Sequence, residues 1–300
     1  MVLKGPFDDK EVKVEYRSAR PEDVPEMSDL FLRAVADLYS RNNIAAATPP
    51  RTAVLKAYDH ILSIGVFHAA VARGRIVAVS GAVIRGRVWY LSSFWALPEL
   101  QRRKIGMPLL RLTWEEGVKA GAEVFCTWSS VDHTAMASYM KLGMLPGYQV
   151  LLFEGKPGPL SRPSGYEAGP LEKSLAMELD QYVRGARREA DHELWSGSPD
   201  FRGRQVRRNG SFVGYYYIGN GSIGPAAWNE PQAARPLLEL AFIEASETSP
   251  AVRLAVPGIN HSALRFAFEA GLRLTGFAHF LTTGAFGQME QYLPSGPSLY

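Results

Sequence analysis

The stretch Leu97–Met107 combines three consecutive basic side chains with a glycine, and this combination is suited to binding an anion. It lies between an apolar run, Trp89–Phe94, and an amphipathic segment, Pro108–Ala120. We interpret these flanks as a strand and a helix, so that the basic residues form the turn between them. The first N–H groups of a helix have no partner within the helix, and the helix dipole adds positive potential. The sequence therefore predicts an anion site, and the expected ligand is a pyrophosphate group.

The elements that must position this turn alternate between strands and helices in the first half of the chain. Pro21 suits a helix start, and Gly143 suits a helix end. Gly74 separates two strand-like runs that we interpret as a hairpin. The predicted elements are a strand at Val12–Ala19, helices at Pro21–Tyr39 and Thr52–Ser63, strands at Val66–Arg73, Arg75–Arg85, Arg87–Phe94 and Val124–Trp128, a helix at Thr134–Leu142 and a closing strand at Tyr148–Phe153.

A linker divides the chain into two nearly equal parts. Gly155–Gly165 holds three prolines and three glycines in eleven positions, which can sustain neither a helix nor a central strand. We therefore expect an N-terminal domain over residues 1–157 and a C-terminal domain over residues 158–300.

The second part repeats the end of the first. The run Asp132-His133-Thr134-Ala135 with Gly143 has a counterpart in Asn260-His261-Ser262-Ala263 with Gly271, and every matched pair is separated by the same interval along the chain. The preceding strand recurs at Ala251–Val256, and a hairpin pattern recurs at Ser211–Ile218 and Ser222–Ala227. The constant interval indicates a duplicated domain.

Composition excludes several classes of function. The 300 residues are 46% hydrophobic and 21% charged, as in globular domains, and the net charge of +3 is too small to favour a nucleic-acid partner. The single cysteine, Cys126, permits no intramolecular disulfide, and we interpret it as a buried, inert thiol. The histidines lack metal-ligand spacing. No signal-like or membrane-spanning stretch is present, so a cytoplasmic location without a metal or a membrane partner is expected.

The first half resembles the GNAT superfamily of acyl-CoA-dependent N-acyltransferases. The phosphate loop of that family reads Gln/Arg-x-x-Gly-x-Gly/Ala, and it often follows a strand that ends in Pro-Glu. Here Pro98-Glu99 leads to Gln101, and Gly106 is the final small residue. The family helix Asn-x-x-Ala-x-x-x-Tyr-x-x-x-Gly-Phe is matched by Asp132, Ala135, Tyr139, Gly143 and Met144. The likeness covers most of the first half and extends more faintly over the second.

The resemblance implies a set of residues that bind the acyl donor, acetyl-CoA. Main-chain N–H groups of the loop would hold its pyrophosphate, and a backbone N–H near Phe94–Leu97 would polarise the thioester carbonyl. The implied binding residues are Trp95, Ala96, Leu97, Gln101, Arg102, Arg103, Lys104, Ile105, Gly106, Met107 and Asp132.

Three positions depart from the family pattern. Lys104 replaces the first glycine of the family's loop pattern. In the family's helix pattern, Asp132 replaces the asparagine and Met144 replaces the phenylalanine. A lysine adopts a left-handed backbone at greater cost than glycine, although its charge can face phosphate. A carboxylate at position 132 would repel an anionic ligand.

Acyl transfer to an amine requires an oxyanion donor and a proton for the departing thiolate. The resemblance places Tyr139 at the general-acid position, whereas a tyrosine packed between helix and sheet is the alternative. Glu99 and His133 are the two candidates for the general base. Glu99 could equally be a solvated carboxylate, and His133 recurs as His261, which suggests a shared role at the helix start. Ser92 and Ser93 could orient a water molecule or be ordinary strand residues.

The second half lacks most of these features. Its corresponding loop, Trp228–Arg235, has no glycine, and Glu230 takes the place of the basic triplet. Ala267 stands at the tyrosine position and cannot donate a proton, whereas Asn260 matches the family asparagine. We interpret this half as a structural or substrate-shaping domain.

The expected fold is therefore α/β, with two GNAT-like domains in tandem, each a mixed, mostly antiparallel twisted sheet flanked by helices. The expected function is acyl-CoA-dependent N-acetyltransfer to the primary amine of a small molecule or peptide. The protein would bind this acceptor in a pocket formed by Pro21–Ser63, near Tyr39, Asn42 and Asn43. One alternative is a degenerate GNAT fold that binds acyl-CoA or another ligand as a sensor or scaffold without catalysis. Another is a structural module that binds a partner through its edge strands. The chain would act as a pseudo-dimeric monomer or as a homodimer.

Overall fold

The computed structural model describes residues 13–46 and 48–300, so the Val12 end of the first predicted strand lies outside the described residues. The described chain forms two compact units. The first unit contains residues 13–84, except residue 47, together with residues 89–144. The second unit contains residues 145–300 and the hairpin tip at residues 85–88.

Five strands form the sheet of the first unit. In spatial order they are β1 (Glu15–Ser18), β2 (Gly65–Ala72), β3 (Arg75–Arg85), β4 (Val88–Ala96) and β5 (Val124–Ser129). β2 is antiparallel to both β1 and β3. Arg73 and Gly74 form the predicted turn between β2 and β3, and both have a positive φ. The predicted hairpin is therefore confirmed.

Four helices accompany this sheet: α1 (Val24–Arg41), α2 (Arg51–Ile64), α3 (Gly106–Lys119) and α4 (His133–Met140). A short 3-10 turn at Pro21–Asp23 precedes α1. Met27, Leu30 and Leu38 of α1 are almost completely buried, and their helical spacing explains why the segment folds as an amphipathic helix. All four helices agree in place with the sequence predictions, with ends that differ by a few residues.

The second unit forms a seven-stranded sheet in the order β12-β6-β11-β10-β9-β8-β7. Its strands are β6 (Leu145–Gly155), β7 (Tyr166–Pro170), β8 (Arg202–Arg208), β9 (Ser211–Gly219), β10 (Ser222–Trp228), β11 (Val252–Pro257) and β12 (Arg273–Thr282), and a short β13 (Tyr292–Leu293) pairs with β10. Its helices are α5 (Lys173–Arg184), α6 (Glu189–Ser196), α7 (Ala234–Thr248) and α8 (His261–Glu269). Neighbouring strands are antiparallel except β10 and β11, which are parallel.

The strand β6 differs from its prediction. We expected Tyr148–Phe153 to close the first domain, but β6 lies between β11 and β12 of the second unit and is antiparallel to both. Val150 and Phe153 of β6 are almost fully buried there. Both edges of β6 thereby obtain hydrogen-bonding partners, which an apolar edge strand would lack. Strand pairing of this kind depends on contacts distant in sequence, and periodicity does not reveal it.

The structure confirms the internal repeat. α3 and α7 begin at Gly106 and Ala234, β5 and β11 at Val124 and Val252, α4 and α8 at His133 and His261, and β6 and β12 at Leu145 and Arg273. The interval between the two starting residues is the same for every one of these pairs. Four successive elements therefore keep one register between the two halves. The expected fold class, mostly antiparallel sheets flanked by helices in two copies, is confirmed.

Cys126 is buried in β5, as predicted. Within the described part of the chain, no helix is long and apolar enough to cross a membrane. In the same residues, no group of three His, Cys, Asp or Glu side chains is arranged to hold a metal ion.

Candidate functional site

The basic loop of the first unit has a strained backbone. After β4 the chain makes a 3-10 turn at Pro98–Leu100 and then a loop, Gln101–Ile105, before α3 begins at Gly106. Arg102 and Lys104 have φ angles of 64° and 63°, a left-handed conformation that costs a side-chain-bearing residue about 1–2 kcal/mol. Lys104 therefore adopts the conformation for which the family pattern uses glycine. Alternating left-handed residues form concave nests of N–H groups that bind anions.

The hydrogen bonds of the loop leave four successive N–H groups available. The N–H groups of Gln101 and Arg103 donate to the carbonyl oxygens of Pro98 and Leu100. In the described residues no acceptor is present for the N–H groups that follow, those of Lys104, Ile105, Gly106 and Met107. Because these groups surround the N-terminus of α3, the helix dipole reinforces their positive potential.

The side chains of the loop add charge at the same place. Arg102, Arg103 and Lys104 are exposed, whereas Ile105 is buried and anchors the loop. The Gln101 side chain donates to the Ala96 carbonyl oxygen at 3.3 Å and so holds the loop against the end of β4. Arg102 and Lys104 form no ion pair with any described residue. These two side chains thus present positive charge around free N–H groups, which makes the loop a suitable site for a phosphate or pyrophosphate.

Phe94 connects this loop with Tyr139. A Cβ atom built on Gly106 would lie 2.9 Å from Cζ of Phe94, so a larger residue at position 106 would require the Phe94 ring to move. The Phe94 ring also lies 5.8 Å, between centroids, from the ring of Tyr139 on α4. The Phe94 ring therefore lies beside both the first residue of α3 and the ring of Tyr139.

Tyr139 is a buried tyrosine on α4. Its side chain is 6% exposed, and its hydroxyl has no hydrogen-bond partner among the described residues. Burial raises the pKa of Tyr139 well above the usual value for tyrosine, and the charge of Asp132 raises it further. The hydroxyl consequently keeps its proton at neutral pH, which a proton donor requires.

Asp132 caps α4 and is paired with a cation. Its carboxylate accepts from the N–H groups of Thr134 and Ala135 at 2.8 and 3.0 Å, and from the Arg41 guanidinium at 2.5 Å. Burial raises the pKa of Asp132, but the hydrogen bonds from Ala135 and Arg41 outweigh it and hold the pKa below its usual value. The carboxylate is therefore ionised, and Arg41 offsets the repulsion that we expected it to exert on an anion.

The two base candidates do not lie beside Tyr139 in any observed contact. Glu99 pairs with Arg33 of α1 at 3.1 Å, and its second carboxylate oxygen is buried without a partner among the described residues. His133 is exposed at the first position of α4. Neither residue is thus assigned by geometry as the base.

The other predicted strand residues divide between the two faces of β4. Ser93 is buried and shares a hydrogen bond of 2.8 Å with the Tyr58 hydroxyl of α2, so it is a structural partner of that helix. Trp95, two residues on, packs edge-to-face on Phe31 of α1 at 5.0 Å. Ser92 and Phe94 alternate with them on the opposite face. The N–H of Leu97 donates to the Val77 carbonyl oxygen at 3.0 Å, and so it is not free to bind an acyl oxygen.

An aromatic row follows the face of β4 that carries Trp95. Phe31 lies 6.0 Å from Tyr58, and Tyr58 lies 5.0 Å from Phe67 of β2. These side chains come from α1, α2 and the sheet, which is the region where we predicted the acceptor pocket. Within that region Asn42 bonds to the Leu38 carbonyl oxygen, and Asn43 has a positive φ, whereas Tyr39 is partly buried.

The second unit has no counterpart of the basic loop. Its 3-10 turn at Pro231–Ala233 runs directly into α7, whereas five residues, Gln101–Ile105, separate the same elements in the first unit. The cations close to this turn are paired with carboxylates: Arg208 pairs with Glu230, and Arg235 pairs with Glu239 and Glu269. Ala267 is buried at the position equivalent to Tyr139. Neither the anion site nor the phenol is repeated.

Several solved structures share this architecture over nearly the whole chain. A presumed acetyltransferase from Pyrococcus horikoshii covers 99% of this chain and 100% of its own, with a TM-score of 0.77 and 17% identity. A tandem GNAT protein from the clavulanic acid biosynthesis pathway covers 91% of this chain and 99% of its own, with a TM-score of 0.63 and 16% identity. The chain has a tandem GNAT fold.

A third similar structure, a GCN5-related N-acetyltransferase from Sphaerobacter thermophilus, covers 90% of this chain and 95% of its own, with a TM-score of 0.62 and 15% identity. No protein-family model and no curated protein matches the sequence. The resemblance to the GNAT fold is thus carried by structure, and the activity has to be argued from the site.

Sequence reasoning missed three residues of the site. Arg41 reaches Asp132 across 91 positions of the chain, and Phe94 contacts both Gly106 and Tyr139. Arg33 pairs with Glu99. Arg33 and Arg41 lie on an amphipathic helix where exposed arginines are common, so no local pattern distinguishes them. Phe94 was expected to contribute only through a backbone N–H in the range Phe94–Leu97, and the strand pattern does not indicate the contacts of its ring.

Proposed function

We propose that the first unit is an acyl-CoA-dependent N-acyltransferase, with acetyl-CoA as the donor and a primary amine as the acceptor. The observation that carries the proposal is the nest of four free N–H groups at Lys104–Met107, set one aromatic ring away from the buried phenol of Tyr139. An anion site and a proton donor so close together suit a substrate that has a phosphate group and a leaving group.

The loop would hold the pyrophosphate of the donor. The N–H groups of Lys104, Ile105, Gly106 and Met107 would donate to phosphate oxygens, and Arg102 and Arg103 would add long-range attraction. The end of β4 would then receive the thioester. Because Leu97 donates to Val77, the backbone N–H that stabilises the oxyanion would belong to one of Phe94, Trp95 or Ala96.

Tyr139 would protonate the departing thiolate. The neutral amine attacks the thioester carbonyl carbon, the C–S bond breaks, and the sulfur leaves with the electron pair. Tyr139 is protonated at neutral pH because burial raises its pKa, and so it can give its proton to the sulfur. The phenolate would recover a proton from solvent or from the amine.

The acceptor amine must lose a proton on the way to the amide. Glu99 has one carboxylate oxygen without a partner among the described residues and could accept that proton directly or through water. His133 is exposed and could do so through solvent. Both remain candidates. The aromatic side chains Phe31 and Trp95 would line the acceptor side and favour an amine with apolar surface.

A second candidate function is an acyl-CoA sensor without catalysis. One observation favours it: Glu99 is held by Arg33, and His133 lies on the surface, so neither base candidate contacts the phenol region. A sensor would bind acyl-CoA through the same loop but would not transfer the acyl group.

Release of free thiol from acetyl-CoA in the presence of a panel of primary amines separates these functions. An acetyltransferase releases one thiol for each amide formed, and Tyr139→Phe slows that release. Tyr182→Phe, which removes an exposed hydroxyl in the second unit, is the matched control. If acetyl-CoA binds but no amine accelerates thiol release, the sensor is correct and the enzyme proposal fails.

A further inference from the structure

The parallel strands of the second unit separate early and leave a crevice between them. β10 and β11 are paired only at Ser222–Arg253 and Ile223–Leu254, although β10 continues to Trp228 and β11 to Pro257. Crevices at the carboxyl ends of diverging parallel strands are the usual ligand positions in α/β sheets. This crevice is the place where a ligand of the second unit would be expected.

A segment of the chain itself occupies that crevice. β13 runs antiparallel to β10, with Leu293 opposite Ala226 and Tyr292 opposite Ala227. On the other side, the Asn260 side chain, just after β11, donates to the Tyr292 carbonyl oxygen at 3.1 Å. Tyr292 and Leu293 are completely buried. β13 therefore takes the hydrogen-bonding position that an extended ligand would take between β10 and the end of β11.

The backbone of β10 is shaped for this segment. A Cβ atom on Gly224 would lie 2.2 Å from the Pro294 carbonyl oxygen, so any other residue at position 224 would collide with the chain after β13. The N–H of Gln288 donates to the Val183 carbonyl oxygen at 2.6 Å and fixes the approach to β13 along α5.

Buried arginines secure both ends of residues 289–300. Arg188 donates to the Tyr292 hydroxyl at 2.9 Å, and Arg184 donates to the Tyr300 carbonyl oxygen. The Arg184 guanidinium also lies 4.7 Å from the centroid of the Tyr292 ring. Arg188 is in turn held by Asp180, which also accepts from Tyr215 at 2.6 Å. A loosely placed tail would not have such a set of fully buried, charge-assisted contacts.

We propose that residues 289–300, which include β13, substitute for a ligand in the second unit and close it to acyl-CoA. The chain would then hold a single acyl-CoA site, in the first unit. This inference rests on the proposed function only for the identity of the excluded ligand. The missing basic loop and Ala267 agree with it, because a unit with a filled crevice needs neither an anion site nor a phenol.

An engineered disulfide tests whether residues 289–300 ever leave the crevice beside β10. Ala226→Cys with Leu293→Cys joins two residues that face each other on β10 and β13, and the native Cys126 is buried and separate. Coenzyme A is titrated calorimetrically into the wild type and into the oxidised and reduced forms of this double variant. We expect one equivalent bound per chain in every case, with dissociation constants that agree within about two-fold. If the wild type binds two equivalents of coenzyme A and the oxidised, disulfide-bonded variant binds one, the proposal is wrong.

Amide hydrogen exchange of the wild type shows whether β13 stays paired with β10, independently of acyl-CoA binding. The amides of Tyr292 and Leu293 should exchange as slowly as those of β10, with or without coenzyme A. Exchange within seconds, or faster exchange when coenzyme A is added, would overturn the proposal. If coenzyme A binds to no form, the proposed function fails, and the exchange rates alone then determine whether the strand is resident.

Discussion

Arg41 and Asp132 form an ion pair of 2.5 Å between the last turn of α1 and the N-cap residue of α4. The pair has two consequences. It neutralises the carboxylate that departs from the family asparagine, and it links the helix that lies near the acceptor side with the helix that carries Tyr139. Asp132 also caps α4, so a single side chain fixes the start of that helix and its neighbour.

Two replacements of Asp132 distinguish the contribution of helix capping from that of the ion pair with Arg41. Asp132→Ala should lower the free energy of unfolding by about 1 kcal/mol because two N–H groups lose their acceptor. Asp132→Asn should cost less, since asparagine caps helices as well as aspartate does. Urea unfolding measures both. An Asn variant as unstable as the Ala variant would show that the pairing with Arg41, rather than the cap, stabilises this site.

Removal of the Tyr139 hydroxyl should reduce turnover without weakening binding of the donor. Tyr139→Phe keeps the ring that packs on Phe94 but has no proton to give. We expect kcat to fall by about 100-fold, the lower range for a lost general acid, with the Kd for acetyl-CoA changed less than about two-fold. Steady-state kinetics and calorimetry measure the two quantities. Unchanged kcat would remove Tyr139 from the mechanism.

The alkaline side of the pH profile should show no loss of the acid below about pH 10. Burial raises the folded-state pKa of Tyr139 above its usual value of 10.0, so the phenol stays protonated from neutral pH up to that limit. kcat for the wild type, measured from pH 6 to pH 10, should therefore not decline through deprotonation of this group. A decline near pH 8 that disappears in Tyr139→Phe would contradict the assignment.

Lys104→Gly should distinguish backbone from side-chain binding of the anion. Glycine relieves the left-handed strain at position 104 but makes the unfolded chain more flexible, so we expect a net stability gain of at most about 1 kcal/mol. The N–H nest survives, and acetyl-CoA affinity should fall less than about ten-fold. Lys104→Glu should weaken binding more, and increasingly so at low salt. Complete loss of binding in Lys104→Gly would show that the ammonium group, not the backbone, holds the anion.

Much of the fold could be predicted because its information is local. The turn at Gly74, the amphipathic helices and the Pro-Glu before the basic loop each specify structure within a few residues. The constant interval between the two halves also has a local cause, since Asp132 and Asn260 cap equivalent helices by the same hydrogen bond to the third residue. These features predicted the two-fold repeat and the position of the candidate site.

The remainder depends on contacts between distant segments. The pairing of β6 with β11 and β12, the reach of Arg41 to Asp132 and the burial of β13 beside β10 join residues far apart in sequence. The sequence showed that the loop of the second unit lacks the glycine and the basic triplet, but not that the 3-10 turn at Pro231–Ala233 continues directly into α7. The C-terminal segment carried no legible pattern.

Calorimetric titration of acetyl-CoA into the full chain measures whether the loop of the first unit binds the donor. We expect one equivalent with a micromolar Kd in the wild type, and a loss of affinity beyond about 30-fold in the double variant Arg102→Glu/Arg103→Glu, which reverses charge beside the N–H nest. The double variant Arg265→Glu/Arg273→Glu, with the same charge change on exposed residues of the second unit, should bind like the wild type. If the wild type does not bind acetyl-CoA, or if the Arg102→Glu/Arg103→Glu variant binds it equally well, the loop of the first unit is not an acyl-CoA site.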